Sequence, residues 1–159
     1  MAMFETEVMD GKSPYTDMKL GDQANGFSCT FYYDNKTSAT SQEYGEFEIL
    51  QGVGFDHTLS SQDDMVAGAK LISVIPNTML KNLIANGGMV RGEAYIITKK
   101  WTKGDAVPNS KQKAKGHGYE VQRIKAPDAF LDRLKAKHKE LLPEGMGTED
   151  VAATPSVDI

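Results

Sequence analysis

Two alternating segments, separated by a lysine-rich stretch, constrain the fold more than any other feature of the sequence. Residues 92–101 (GEAYIITKKW) and 117–125 (HGYEVQRIK) are rich in β-branched and aromatic side chains, which favour strands. Residues 102–116, which lie between them, contain four lysines together with glycine and proline and have the composition of a loop. The pattern predicts a long β-hairpin with a basic loop at its tip.

Each strand of this hairpin is predicted to carry aromatic and cationic side chains on one face. Successive side chains of a strand point to opposite faces, so every second residue shares a face. The two faces consist of Tyr95, Ile97, Lys99 and Trp101, and of His117, Tyr119, Val121, Arg123 and Lys125. Proteins that bind single strands use this mixture, because cations contact phosphates while rings stack on bases. For Tyr95 and Tyr119, packing in a core or against the neighbouring strand is an equally open interpretation.

Three more segments are predicted to be strands. Residues 27–33, 44–51 and 69–75 are either β-prone or alternate in hydrophobicity. The polar residues 10–26 and 34–42 are predicted to be loops. The chain therefore has at least five short strands.

Two helices complete the predicted fold. A short helix begins at Asn77 or Thr78, either of which can cap it, and ends at the glycine pair after residue 86. A final helix is predicted over residues 127–142, where apolar residues recur at helical spacing. We expect a mostly β protein with minor α content. Its architecture is an oligonucleotide-binding (OB)-like five-stranded barrel or curved sheet, with a short helix between two strands and a C-terminal helix.

Charge is sorted by position along the chain. The net charge is −7 for residues 1–90, +7 for residues 91–142 and −4 for residues 143–159. Such asymmetry is a recognised hint of nucleic-acid binding with an acidic tail. The alternative is that folding mixes the segments and leaves no basic face. The tail, residues 143–159, is predicted to be disordered; it either aids solubility, competes for a basic groove or docks replication proteins.

The composition indicates a single domain, residues 1–142, that has an ordinary core. The chain has 159 residues, of which 40% are hydrophobic, which is typical of a globular protein. Cys29 is the only cysteine, and its β-prone neighbours favour a place in the core. No apolar run approaches the length of a membrane span, and the first residues lack the features of a signal peptide. We therefore expect a cytoplasmic protein without a membrane partner.

Signals for catalysis are weak. Neither of the common glycine-rich phosphate-binding motifs occurs, and the three histidines lack the spacing of a zinc site. We therefore expect no catalytic residue, no metal and no cofactor. Glu46 with Glu48, or Asp63 with Asp64, would be needed to hold Mg²⁺ in a nuclease; a solvated sheet face and a surface turn are the simpler interpretations.

The hairpin segment resembles the final β-hairpin of phage-encoded OB-fold single-stranded DNA-binding proteins. The residues that carry the resemblance are GEAYIITKKW, the lysine-rich loop and GHGYEVQRI. The resemblance covers about residues 69–125. It implies non-enzymatic binding of single-stranded DNA in phage replication or recombination, and hence in the host cytoplasm. It also implies that Trp101, Tyr95 and Tyr119 are stacking rings.

The residues and the resemblance together predict a nucleic-acid interface without catalysis. Its predicted members are Tyr95, Lys99, Lys100, Trp101, Lys103, Lys111, Lys113, Lys115, Tyr119 and Arg123. The cations are expected to contact phosphates, and the rings to stack on bases. The predicted partner is single-stranded DNA, and an oligomer is compatible with the sequence. The other open interpretation is a structural or adaptor protein whose basic hairpin binds an acidic protein partner.

Overall fold

The computed structural model describes residues 13–43, 45–106 and 111–143. The strands are β1 Thr16–Met18, β2 Ser28–Ser41, β3 Gly45–Gly54, β4 Lys70–Val74, β5 Glu93–Trp101 and β6 Gly118–Ile124. The helices are α1 Gln62–Ala67, α2 Thr78–Ala85 and α3 Asp128–Leu141, and Leu20–Asp22 form one 3₁₀ turn. The predicted acidic tail beyond residue 143 lies outside the described residues.

The six strands form one mixed sheet in the order β1-β4-β3-β2-β5-β6, and this sheet curls into a half-barrel. Strands β2, β3 and β4 form an antiparallel meander, and β5 and β6 form a hairpin that pairs with β2. Helix α2 connects β4 to β5. This is an OB-like arrangement, so the predicted mostly β fold is confirmed.

The curl depends on a close backbone approach between β2 and β3. The pairing register shifts between Tyr33 and Asn35, which makes a β-bulge in β2. A Cβ atom added to Gly52 would lie 1.8 Å from the carbonyl oxygen of Tyr32. Only glycine fits there, because any larger residue at position 52 would push β2 and β3 apart.

The prediction of a loop over residues 34–42 is wrong, because β2 continues to Ser41. The polar side chains that suggested a loop have partners across the sheet. The amide of Asn35, which is 2% exposed, donates to Gln51 Oε1 at 2.9 Å. Buried polar groups are tolerated when they are hydrogen-bonded, so polarity alone did not end the strand.

Three shorter elements were also missed. Residues 10–26 were predicted to be loop, but they contain β1 and the 3₁₀ turn. Helix α1 has only six residues and begins after Ser61, whose hydroxyl accepts the Asp64 N–H at 3.3 Å. Elements this short leave no periodic pattern in the sequence.

The predicted helices α2 and α3 are confirmed. Asn77 caps α2, since its side-chain oxygen accepts the Leu80 N–H at 2.9 Å. Pro127 directly precedes α3, which ends at Leu141. No helix in the described part of the chain is long and apolar enough to cross a membrane.

The sheet separates two apolar cores. The inner core fills the half-barrel beneath α2 and contains Leu20, Cys29, Phe31, Tyr33, Leu50, Val74, Leu80, Met89, Tyr95 and Ile97. The outer core lies between the sheet and α3 and contains Tyr32, Val53, Phe55, Ala69, Ala94, Phe130, Leu131 and Leu134. The predicted core position of Cys29 is confirmed, and burial raises the pKa of its thiol to about 11. The thiol is therefore protonated at neutral pH and unreactive.

A buried polar network fastens α3 to the sheet. His138 is fully buried, and its Nδ1 lies 2.5 Å from the carboxylate of Asp34 in the β2 bulge. Its Nε2 lies 2.7 Å from the hydroxyl of Tyr15. Burial, and secondarily the charge of Asp34, raise the pKa of Tyr15. Both ring nitrogens of His138 are therefore satisfied, as a buried imidazole requires.

Candidate nucleic-acid interface

The β5–β6 hairpin places the two predicted mixed faces side by side. Tyr119 pairs with Lys99, Val121 with Ile97, and Arg123 with Tyr95. Directly opposed residues of an antiparallel pair point to the same face of the sheet. This shared face is the inner one, because Tyr95 and Ile97 belong to the inner core and Tyr119 and Val121 pack against it.

Tyr95 and Lys99 are buried by this arrangement. Tyr95 is 1% exposed, and its hydroxyl accepts the Val90 N–H at 2.7 Å. Lys99 is 2% exposed, and its ammonium donates to the carbonyl oxygens of Gly21 and Gln23 at 2.9 and 2.8 Å. The structure thus corrects the expectation that both side chains point outward, because β5 is flanked by β2 and β6. We leave both residues out of the interface.

Trp101 and Tyr119 remain partly exposed and line one surface depression, which we call the Trp101 groove. The groove consists of two hollows of about 710 and 680 Å³ that share Met79, Trp101 and Tyr119 in their walls. A Cβ atom on Gly118 would lie 2.1 Å from the Trp101 ring. The glycine therefore lets the indole lie directly against β6.

The groove also has an apolar floor that the sequence did not reveal. Ile75, which follows β4, is 46% exposed, and Met79 on α2 is 38% exposed. Both line the larger hollow, together with Met18 and Leu20 from the other end of the sheet. These residues are far apart in sequence and meet only because the sheet curls. The floor therefore offers apolar contacts beside the two rings.

The described part of the basic loop, residues 102–106 and 111–116, lies beside the groove, and Gly116 and the adjacent His117 line the larger hollow. Among the predicted phosphate contacts, six cations are exposed: Lys100, Lys103, Lys111, Lys113, Lys115 and Arg123. Lys100 lies 3.5 Å from the carboxylate of Glu120. Within the described residues, the four loop lysines form no salt bridge. Among the acids that the structure describes, none therefore neutralises their charge.

Asp105 fixes the base of the loop. Its carboxylate accepts the Thr102 N–H and the Asn25 side-chain N–H, each at 2.8 Å. The backbone bond from Thr102, followed by the bond from Asn25, lowers the pKa of Asp105. Ala106 and Lys113 pair across the loop as an isolated bridge. The first residues of the loop are thus held against the segment that precedes β2.

The acids considered for a nuclease occupy surface ion pairs or exposed positions. Glu48 lies 3.5 Å from Lys36, and Asp63 lies 2.6 Å from Arg133. Glu46 is exposed near the start of β3. Across residues 13–43, 45–106 and 111–143, no three His, Cys, Asp or Glu side chains are grouped to hold a metal ion. The site geometry gives this alternative no support.

Searches of protein-family models, curated proteins and solved structures find no match to this chain. The description as OB-like rests on the strand order and on the curl of the sheet. The groove and the basic loop are the features of the molecule from which a function can be inferred.

Proposed function

We propose that the chain binds single-stranded DNA without catalysing a reaction and with little preference for sequence. The observation that carries this proposal is the placement of Trp101 and Tyr119. These two partly exposed rings line one groove, and a loop with four exposed lysines stands beside it. A strand that enters the groove can therefore meet rings and cations together, as single-strand binders require.

In the proposed complex, bases stack on the two rings and the apolar floor excludes water around them. Stacking on an aromatic side chain contributes about 1–3 kcal/mol per base. The loop lysines Lys103, Lys111, Lys113 and Lys115 contact the phosphates, and Lys100 and Arg123 extend this contact along the hairpin. None of these groups reads a base edge in a fixed geometry, so the binding tolerates any sequence. A role in phage replication or recombination, which the resemblance implies, belongs to the same proposal.

A fluorescence titration tests this function directly. Trp101 is the only tryptophan, so quenching by oligothymidylate reports on the groove. We expect quenching whose affinity falls steeply with salt, with a slope of log K against log salt of about −0.7 for each neutralised phosphate. Polyglutamate of matched charge serves as the control for unspecific attraction. Absence of quenching, or quenching that is equal with polyglutamate, contradicts the proposal.

A second function is favoured by the apolar floor of the groove. Exposed Ile75 and Met79 beside Trp101 are also suited to a protein partner, since interface centres are enriched in aromatic residues and methionine. In this alternative an acidic protein partner occupies the groove and the basic loop. Purification without nuclease separates the two: bound nucleic acid supports the first function, and a stoichiometric protein supports the second.

A further inference from the structure

Strand β6 ends the sheet with an edge that no described strand covers. The two ends of the sheet are β1 and β6. β1 has only three residues, whereas β6 has seven and contains neither lysine nor proline. Natural edge strands are protected against further pairing by shortness, by charged side chains, above all lysine, or by proline. β1 is short, whereas β6 is long enough to pair and its only charged side chains are one acid and one base, Glu120 and Arg123.

The backbone groups on this edge can be assigned from the hydrogen bonds of β5. The Lys99 N–H donates to the Phe27 carbonyl, and the Lys99 carbonyl accepts from Gly26, so both groups of Lys99 face β2. Because backbone direction alternates along a strand, Thr98 and Ile96 then face β6 and bond Glu120 and Gln122. The backbone groups of the remaining β6 residues point away from the sheet. These residues are Tyr119, Val121 and Arg123.

We propose that two copies of this chain pair through their β6 strands as an antiparallel, two-fold symmetric dimer. The midpoint of Gly118–Ile124 is Val121, so full-length pairing places Val121 opposite Val121 of the second copy. The same register places Tyr119 opposite Arg123. The backbone N–H and C=O groups of all three residues point away from β5. Each opposed pair in the dimer therefore forms two N–H···O=C hydrogen bonds, one in each direction.

The side chains in this register are complementary. On the inner face, Val121 meets its own copy, and each Tyr119 ring meets the Arg123 guanidinium of the other copy, a favourable cation–π pair. On the outer face, Glu120 lies opposite Gln122 and can accept its amide hydrogens. A symmetric interface requires such self-complementarity. No like charges oppose each other across the paired strands.

The dimer also adds a residue to the Trp101 groove. Tyr119 lines both hollows of the groove. In the proposed register, the second copy places its Arg123 beside that ring. A cation for a bound phosphate is thus supplied by the other chain. The dimer itself does not depend on DNA binding and is tested without DNA.

Sedimentation velocity on the full chain, from micromolar to several hundred micromolar, measures the dimer. We expect a reversible shift from 17.4 kDa to twice that mass. Val121→Pro removes an outward N–H that has no partner among residues 13–43, 45–106 and 111–143, and we expect at least about a tenfold rise in the dissociation constant. Val121→Thr keeps the N–H and is the matched control. A wild-type chain that stays monomeric throughout overturns the proposal.

Gln122 variants test the register without altering the backbone. Gln122→Arg places a cation opposite Glu120, whereas Gln122→Glu places two carboxylates opposite each other. We expect tighter association for the first and weaker association for the second, each by about fivefold, with both effects reduced at high salt. Thermal melting verifies that each variant is folded. Equal association of both variants, or a dimer that Val121→Pro leaves unchanged, excludes β6 pairing.

Discussion

Strands β5 and β6 carry the same kind of side chains on the same face but differ in what those side chains can do. Tyr95 and Lys99 on β5 are 1% and 2% exposed, whereas Tyr119 on β6 is partly exposed and Arg123 is exposed. The strands are paired residue by residue. The difference comes from their place in the sheet, because β5 has a neighbour on both sides and β6 has one described neighbour.

The comparison shows how a cation becomes part of a core. The ammonium of Lys99 donates to the carbonyl oxygens of Gly21 and Gln23, which take the place of water as hydrogen-bond acceptors. Buried charged groups are stable only with such partners. The ammonium thereby ties the 3₁₀ turn to β5 and helps to shape one wall of the Trp101 groove. Lys99 was predicted to bind phosphate, but in the structure it holds Gly21, a residue that lines the groove, in place.

The largest expected effect is on stability. Lys99→Ala removes both hydrogen bonds and leaves a cavity, so we expect the free energy of unfolding to fall by about 2–4 kcal/mol. Arg123→Ala, the matched change on β6, should cost no more than about 0.5 kcal/mol in the monomer. Urea unfolding at low protein concentration measures both. Equal losses would show that the two strands do not differ as described.

The next effect is on DNA affinity. Tyr119→Ala should weaken oligothymidylate binding by about 1–3 kcal/mol, the contribution of one stacked base. Tyr95→Phe removes only the hydroxyl that accepts from Val90 and should leave the affinity unchanged. Anisotropy titrations with labelled oligonucleotide measure both variants. If Tyr95→Phe weakens binding as much as Tyr119→Ala, the assignment of stacking to β6 is wrong.

A smaller effect concerns the salt dependence of binding. Lys113→Ala or Lys115→Ala should each reduce the slope of log K against log salt by about 0.7, since each removes one phosphate contact. Lys99→Met keeps the buried stem, loses the charge and should leave the slope unchanged. The slope is obtained from titrations at several salt concentrations. A reduced slope for Lys99→Met would mean that its ammonium reaches the DNA.

The smallest effect is the pH dependence of the loop anchor. The pKa of Asp105 is lowered in the folded chain, mainly by the bond from Thr102. Its stabilising contribution is therefore present above the ordinary aspartate pKa of about 4 and is lost as pH falls below that value. Trp101 emission in an acid titration should report a transition that Asp105→Asn lacks. A transition that is identical in both proteins would assign it to other groups.

Much of the fold could be predicted from the sequence because the signals are local. The strands β4, β5 and β6 follow β-prone runs, and α2 begins at the asparagine that caps it. The second half of β2 was not predicted as a strand, because its polar residues form hydrogen bonds with partners distant in sequence, such as Gln51. The hydrogen-bond network of Tyr15, Asp34 and His138 was not predicted for the same reason, since its members belong to three separate segments of the chain.

The candidate site was predicted in part. Trp101 and Tyr119 line one groove, and loop residues 105, 106 and 116 line it with them, so the hairpin strands and the loop meet at one place as the alternation indicated. Ile75 and Met79 were missed because an exposed apolar residue has no distinguishing pattern in a sequence. Ile75 immediately precedes Pro76, where the strand was expected to stop, and that position was the only available signal.

By itself, the sequence determined that residues 92–125 form a hairpin and that cations and rings share its faces, because side-chain alternation is a local property of strands. Only the tertiary structure decided which of those residues are exposed. The strand order places β5 between β2 and β6, and it places β6 at one end of the sheet. The alternation of side chains along a strand predicts neither the strand order nor the curl of the sheet. The buried Lys99 and the partly exposed Tyr119 are opposed neighbours, and long-range pairing alone separates their roles.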